Sequence, residues 1–342
     1  MTDNLKDLQL HQLEDLMKDM NQPKFRAGQI FAWLCRGADD FDKMTDVPAS
    51  LKEELAARKF RIGLLMPEKV QISALDGTRK YLFVLSDGNA IESVFMKYKY
   101  GNTICISSQA GCRMGCRFCA STIGGLKRNL TPGEMSEQVM AAERNTGEKI
   151  NHIVIMGTGE PFDNYENISS FIRIMTHKSG RNMSMRNITV STCGIVPFIE
   201  KFADDFPQVN LAISLHAPDN ELRSSMMPVN KKYPLEELIP ACRRYTRKTS
   251  RRVTFEYTLV KGLNDTDSHA VQLAELLRGM LCHVNLIPLN KVEETGFKTT
   301  GRKRAEEFCR ILQQNGIPST IRRELGDDID AACGQLRLGR KK

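Results

Sequence analysis

The chain has 342 residues, 41% of them hydrophobic and 26% charged, with a formal net charge of +8. This is enough apolar material for a large core and a small second one, and no apolar run approaches the ~18 residues needed to span a bilayer. The polar start "MTDNLKDLQLHQLEDLMKDM" lacks the regions of a signal peptide, so a cytoplasmic protein is expected. Its ten cysteines are then thiols, metal ligands or catalytic groups rather than a disulfide framework.

Residues 1–60 read as helices. "LHQLEDLMKDM" and "AGQIFAWLCR" place apolar residues three or four apart, and "PASLKEELAARKF" opens on Pro48. The intervening "QPKFRAGQ" sets Lys24 and Arg26 on an exposed turn. Residues 61–98 form a short β extension with alternating strands "RKYLFVLSDG" and "AIESVFMKYK", turning at Asp87-Gly88.

From residue 99 to about 300, strand-like runs alternate with amphipathic helices: "NTICISS", "HIVIMG", "ITVSTCG", "VNLAISLHA", "RVTFEYTLV" and "HVNLIPLN". Strict alternation predicts an α/β fold with a parallel sheet covered by helices, and six units make a partial (β/α)6 barrel. A further helix, "GRKRAEEFCRILQQNG", and a strand, "STIRREL", open a C-terminal extension over residues 301–342. The working edge of such a barrel lies at the C-terminal ends of its strands. Polar segments fall there: Gly157-Thr158-Gly159-Glu160, Ser191-Thr192-Cys193-Gly194, Ser214-Leu215-His216 and Asn290. Taken singly, these are ordinary turns, caps or a core histidine.

After the first barrel strand comes "AGCRMGCRFCASTIGG", with Cys112, Cys116 and Cys119 spaced C-x3-C-x2-C. Zinc is the natural competitor, but a structural zinc takes four ligands, usually as two separated pairs. Three thiolates holding a 4Fe–4S cubane leave one iron open to a ligand, whereas electron-transfer clusters use four. Basic clusters occur in "CRRYTRKTSRR", at Lys127-Arg128, and in the tail "RLGRKK". They suit a phosphate-bearing partner or an ordinary solvated surface equally well.

The triplet resembles that of radical S-adenosylmethionine enzymes, with Phe118 matching the aromatic found between the last two cysteines. "CISSQAGCRMGCRFCAST", "MGTGEP", "STCGIVP", "ISLHAP", "HVNLIPLN" and "GDDIDAACGQL" resemble, in order and spacing, the RlmN/Cfr adenine methyltransferases. "QPKFRAGQIFAWL" is similar to that family's N-terminal helical domain.

The resemblance implies a 4Fe–4S cluster on Cys112, Cys116 and Cys119, and two S-adenosylmethionine molecules per turnover. Gly159, Glu160, Ser191, Ser214, Leu215, His216 and Asn290 match positions that contact S-adenosylmethionine. Cys333 would accept a methyl from the first molecule by displacement, and the radical from the second would take a hydrogen from that methyl. The resulting methylene would add to the base and join protein to RNA. Cys105 would resolve that adduct by forming a disulfide, and Glu92 matches the general base. Without the resemblance, Glu92 is a strand-face glutamate and Cys333 a small buried thiol.

The implied partners are 23S rRNA (adenosine 2503) and tRNA (adenosine 37), together with a flavodoxin-like or ferredoxin-like reductant. A monomer without membrane attachment is expected. Pro161 after Glu160 resembles the carbon-2 group of the family rather than the carbon-8 group. Met156 is read as either near the reacting centre or core. Cys193 carries no role, and Cys35, Cys242, Cys282 and Cys309 are read as buried hydrophobes.

Overall fold

The computed structural model describes residues 3–289, 296–323, 325–329 and 331. The N-terminal unit contains α1 (Leu10–Asp19), α2 (Phe25–Cys35) and α3 (Ala49–Ala57). Leu13, Met17, Ile30, Phe31, Leu51 and Leu55 build a core of its own, touched from outside by Ile174.

An antiparallel meander follows: β1 (Pro67–Ile72), β2 (Arg79–Val84) and β3 (Ala90–Tyr98). β3 pairs antiparallel with β4 (Gly101–Ile106), the first barrel strand. The segment expected as an extension is therefore the first wall of the main sheet. β1 was not foreseen. It starts on proline, has few apolar residues and is an edge strand, the place where a sheet tolerates such a sequence.

Beyond a small ladder of β5 (Gln109–Ala110) and β6 (Arg128–Asn129), the parallel strands are β7 (His152–Ile155), β8 (Ile188–Thr192), β9 (Asn210–Ser214), β10 (Val253–Leu259), β11 (Cys282–Pro288) and β12 (Ser319–Ile321). The sheet order is β1-β2-β3-β4-β7-β8-β9-β10-β11-β12. β4 and β7–β11 form the expected six-stranded partial barrel, and β12 adds a seventh parallel strand. Outside it lie α4 (Pro132–Thr146), α5 (Tyr165–Thr176), α6 (Val196–Asp205), α7 (Asn220–Met226), α8 (Leu235–Thr249), α9 (Asp267–Leu277) and α10 (Arg302–Gln314). The short α7 was also not foreseen, because seven residues give too little periodicity to read.

The two sheet faces sort by alternation. In β4, Ile104 and Ile106 join the large core under the helices, while Cys105 belongs to a separate inner cluster with Val94 and Met96. In β10, Val253, Phe255, Tyr257 and Leu259 face the helices, and Thr254, Glu256 and Thr258 alternate with them.

The N-terminal unit is fastened to α4. Thr131 and Glu134 form a capping box at the start of α4, with Pro132 in its first turn. Lys6 pairs with Glu137, both side chains only 2% exposed. Glu137 also accepts from Arg144 Nη2 at 2.8 Å and from the Leu65 N–H at 3.0 Å. Asp7 Oδ1 accepts from the Gly133 N–H at 2.8 Å. Removing one partner of a buried pair strands the other charge, so Glu137→Ala should cost about 3–5 kcal/mol. Lys6→Met in the same chain should return part of that loss. Thermal unfolding of the single and double variants reads both effects.

Candidate active site

The cysteine triplet lies in a loop whose ends are drawn together by β5 and β6, with Gln109 opposite Asn129 and Ala110 opposite Arg128. Inside the loop, the Cys119 N–H donates to the Cys116 carbonyl at 3.2 Å, and Thr122 Oγ1 donates to the Cys119 carbonyl at 2.9 Å. Arg113 clamps Asp163 with two bonds, of 2.8 and 2.6 Å. The loop is therefore bonded through both its own backbone and its side chains.

Cys112, Cys116 and Cys119 line one cavity at the C-terminal edge of the strands. Burial pushes the Cys112 thiol up to about 12 and the Cys116 thiol well above its ordinary value, and the neighbouring thiols add to both effects. Held as thiolates, these sulfurs need a positively charged body between them. Among the described residues, no three His, Cys, Asp or Glu side chains converge tightly enough for a single metal ion. An all-sulfur donor set spread around one cavity fits a cubane, whose irons occupy separate corners, better than it fits zinc.

The rest of the cavity is built from the expected strand ends. Gly159, Glu160, Ser191, Ser214 and His216 line it, together with Met156, Cys193, Glu256, Thr258 and Arg322. Gly159 has φ of 113°, and a Cβ there would lie 2.7 Å from the Gln109 nitrogen, so only glycine lets these two loops close. Glu160 is buried. Its carboxylate accepts the Phe162 N–H at 2.9 Å and the Cys193 N–H at 2.8 Å, and burial still pushes its carboxyl above the usual range.

Leu215 departs from the expected set. It is fully buried in the large core, and the cavity is lined by its neighbours Ser214 and His216. Asn290 and Cys333 lie outside the described residues. Cys105 is buried on the inner face of β4, and Glu92 is buried on β3 with Lys80 Nζ 3.0 Å away. Val94, the cross-strand partner of Cys105, is two residues from Glu92 on the same face, so Glu92 and Cys105 are diagonal neighbours.

Cys193 and Glu256 are among the cavity residues that escaped the sequence reading. Cys193 was given no role, yet its N–H anchors Glu160. Glu256, whose carboxylate accepts from Asn285 Nδ2 at 2.8 Å, interrupts an apolar strand at the period of its inner face. That alternation was the available signal. The cluster "CRRYTRKTSRR" lies elsewhere, in the last turns of α8 where it runs into the N-terminal edge of β10, opposite the cavity. Arg244 and Lys248 there pair with Glu200 and Asp204 of α6.

His216 holds a left-handed backbone, φ 59°, unusual for a residue other than glycine. Asn264 Nδ2 donates to its carbonyl at 2.8 Å, and the Thr258 N–H donates to its Nδ1 at 2.9 Å, leaving Nε2 as the proton-bearing nitrogen. Its ring meets Phe118 edge-on at 4.8 Å. Burial, aided by Arg223, pushes His216 down to about 3, so it stays neutral in the fold while the unfolded chain takes up a proton below about 6.5. Stability therefore falls with pH across that window, by about 1.4 kcal/mol per pH unit. Urea unfolding at pH 7 and pH 5 should show a smaller loss in His216→Asn than in the parent chain. Equal losses would show that another group carries the acid sensitivity.

Comparison with known proteins agrees with this geometry. A profile described as "Radical SAM superfamily" matches residues 106–277, and one described as "Ribosomal RNA large subunit methyltransferase N-terminal domain" matches residues 3–60. A "Probable dual-specificity RNA methyltransferase RlmN" of Thermoanaerobacter sp. (strain X514) is 52% identical over 98% of this chain and 97% of its own. One of the same description from Lachnospira eligens is 52% identical over 98% and 96%. The crystal structure of a radical SAM methyltransferase from Sphaerobacter thermophilus superposes with a TM-score of 0.92 at 49% identity, covering 98% of this chain and 99% of that one. The chain belongs to the RlmN family of radical S-adenosylmethionine RNA methyltransferases, with the 4Fe–4S cluster and S-adenosylmethionine which that membership implies.

Proposed function

We propose that this enzyme methylates carbon 2 of an adenosine, adenosine 2503 of 23S rRNA and adenosine 37 of tRNA, through a methyl carried on Cys333. The observation that carries the reading is the company of Cys105. Cys105 packs with Leu325, Ile329 and Ala331, and Met156 lies against that cluster while also lining the cavity. Ala331 is two residues from Cys333 in sequence. The last described residues thus approach the second cysteine of the scheme from the far end of the chain.

Carbon 2 of adenine is a poor nucleophile, so a methyl cannot be passed to it by simple displacement. When bound at Cys112, Cys116 and Cys119, the cluster with S-adenosylmethionine supplies a carbon radical that can take a hydrogen atom. Cys333, as thiolate, first takes a methyl by displacement from one S-adenosylmethionine. Gly159, Glu160, Ser191, Ser214, Leu215, His216 and Asn290 would hold the second molecule. Once the carrier methylene is bonded to the base, Glu92 takes the carbon-2 proton. The Glu92 carboxylate is buried, with Lys80 Nζ 3.0 Å from it. Cys105 then attacks the Cys333 sulfur, forming an S–S bond as the sulfur–carbon bond breaks. The released carbon takes up a proton to become the methyl group, and the unpaired electron returns to the electron-transfer group that supplied it.

The N-terminal unit, taken over residues 1–60, is assigned to RNA-backbone contact. Lys24 is largely exposed, and Arg26 lies over the exposed Phe25 ring at 4.6 Å. Extracting the adenosine from its stack is part of the same reading. A flavodoxin-like or ferredoxin-like protein is the assigned electron donor and the cytoplasm the assigned compartment. No helix among the described residues is long and apolar enough to cross a membrane.

Nucleoside mass spectrometry of treated 23S rRNA and tRNA should show 2-methyladenosine. Finding only 8-methyladenosine would replace this target with the carbon-8 position. Cys333→Ala should retain iron and lose all methyl transfer, and retained turnover would remove its carrier role. Cys105→Ala should accumulate a nuclease-sensitive protein–RNA adduct on denaturing gels; without that adduct, Cys105 is not the resolving group.

A further inference from the structure

Arg223, on α7, is fully buried. Nε donates to the Leu215 carbonyl at 3.1 Å and Nη1 to Asn230 Oδ1 at 2.8 Å. Nη2 donates to the Cys193 carbonyl at 2.7 Å and the Ser214 carbonyl at 3.1 Å. Every one of these acceptors is neutral. Among the described residues no carboxylate pairs with this guanidinium, whereas Arg128, Arg144 and Arg181 each pair with a glutamate. Carbonyls satisfy the N–H groups but do not cancel the charge, and an uncompensated buried cation costs several kcal/mol. Burial pushes the guanidinium below its ordinary value.

The neighbours of Arg223 identify the missing anion. Nη2 donates to the carbonyl of Cys193, and Cys193 lines the same cavity as Cys112, Cys116 and Cys119. The Arg117 N–H, between Cys116 and Phe118, donates to the Met226 carbonyl at the end of α7 at 3.0 Å, tying the cysteine loop to the helix that carries Arg223. A cubane held by three thiolates is net negative when oxidised and more so after taking an electron. Both states attract a fixed cation, and the reduced state attracts it more.

We propose that Arg223 is the buried counter-charge of the iron–sulfur cluster and raises its reduction potential, easing uptake of one electron from a low-potential donor. The inference rests on the cluster reading of Cys112, Cys116 and Cys119. Arg223 is a positioning and tuning residue: its donors go to carbonyls, and it acts on the cluster through its charge. No bond forms or breaks in this step, in which the donor loses one electron and the cluster gains it.

The test is a potentiometric titration of the anaerobically purified enzyme, followed by electron paramagnetic resonance of the reduced cluster. Iron and sulfide content of the parent enzyme checks the cluster reading first and independently. Arg223→Gln should shift the midpoint to more negative potential, and Arg223→Lys, which keeps the charge, should stay close to the parent. Asn230→Asp leaves Arg223 in place and sets a carboxylate against Nη1, neutralising the guanidinium where it stands. It too should shift the midpoint negative, and it decides the matter if Arg223→Gln fails to fold or to load iron. A parent-like midpoint in the iron-loaded neutralised variants would reduce Arg223 to a strut between α7 and the ends of β8 and β9.

Discussion

The two-residue repeat of the strands governs everything at the centre of this enzyme. Along β4, Ile104 and Ile106 take the helix side and Cys105 the inner side. Along β10, Glu256 and Thr258 face the cavity because Phe255 and Tyr257 fill the core. A slip of one residue would exchange the two sets. The apolar residues thus hold the register that aims the polar ones, and chemistry and packing are specified by alternate letters of the same strands.

The cavity is also where the fold accepts its least comfortable groups. Glu160 and Glu256 are both carboxylic acids whose burial disfavours the charged form. His216 holds a left-handed backbone that a non-glycine residue takes at a cost of about 1–3 kcal/mol. Elsewhere, buried charges are matched locally, as Lys6 is by Glu137 and Arg181 by Glu143. This contrast separates a surface shaped for ligands from one shaped only for stability.

Much of the arrangement was legible in the sequence. All barrel strands and most helices announce themselves by period, and the cysteine triplet by its spacing. Arg223 and Cys193 were missed for one physical cause: their partners are distant in sequence. Arg223 is buried by carbonyls contributed from β8, β9 and the turns around them, and no local pattern marks such an arginine. Cys193 acts through its backbone N–H, which leaves no trace in residue type. The N–H of Gly326 donates to Asp76 Oδ2 at 3.0 Å, and a Cβ there would lie 2.7 Å from that of Ala331, so this glycine makes a tight anchored turn set by residues far away in sequence. The positive run in α8, which fits a phosphate-bearing partner or a solvated surface equally well by composition, lies at the opposite rim from the cavity.

The sheet ends in unlike edges, β1 on one side and β12 on the other. The chain leaving β12 crosses to the first edge, where Asp328 accepts the Ala74 N–H at 2.9 Å and Leu325 and Ile329 settle on β3 and β4. The described residues after the last strand thus cover that side by side-chain packing and a turn contact rather than by strand pairing, so it can part without breaking a ladder of backbone hydrogen bonds.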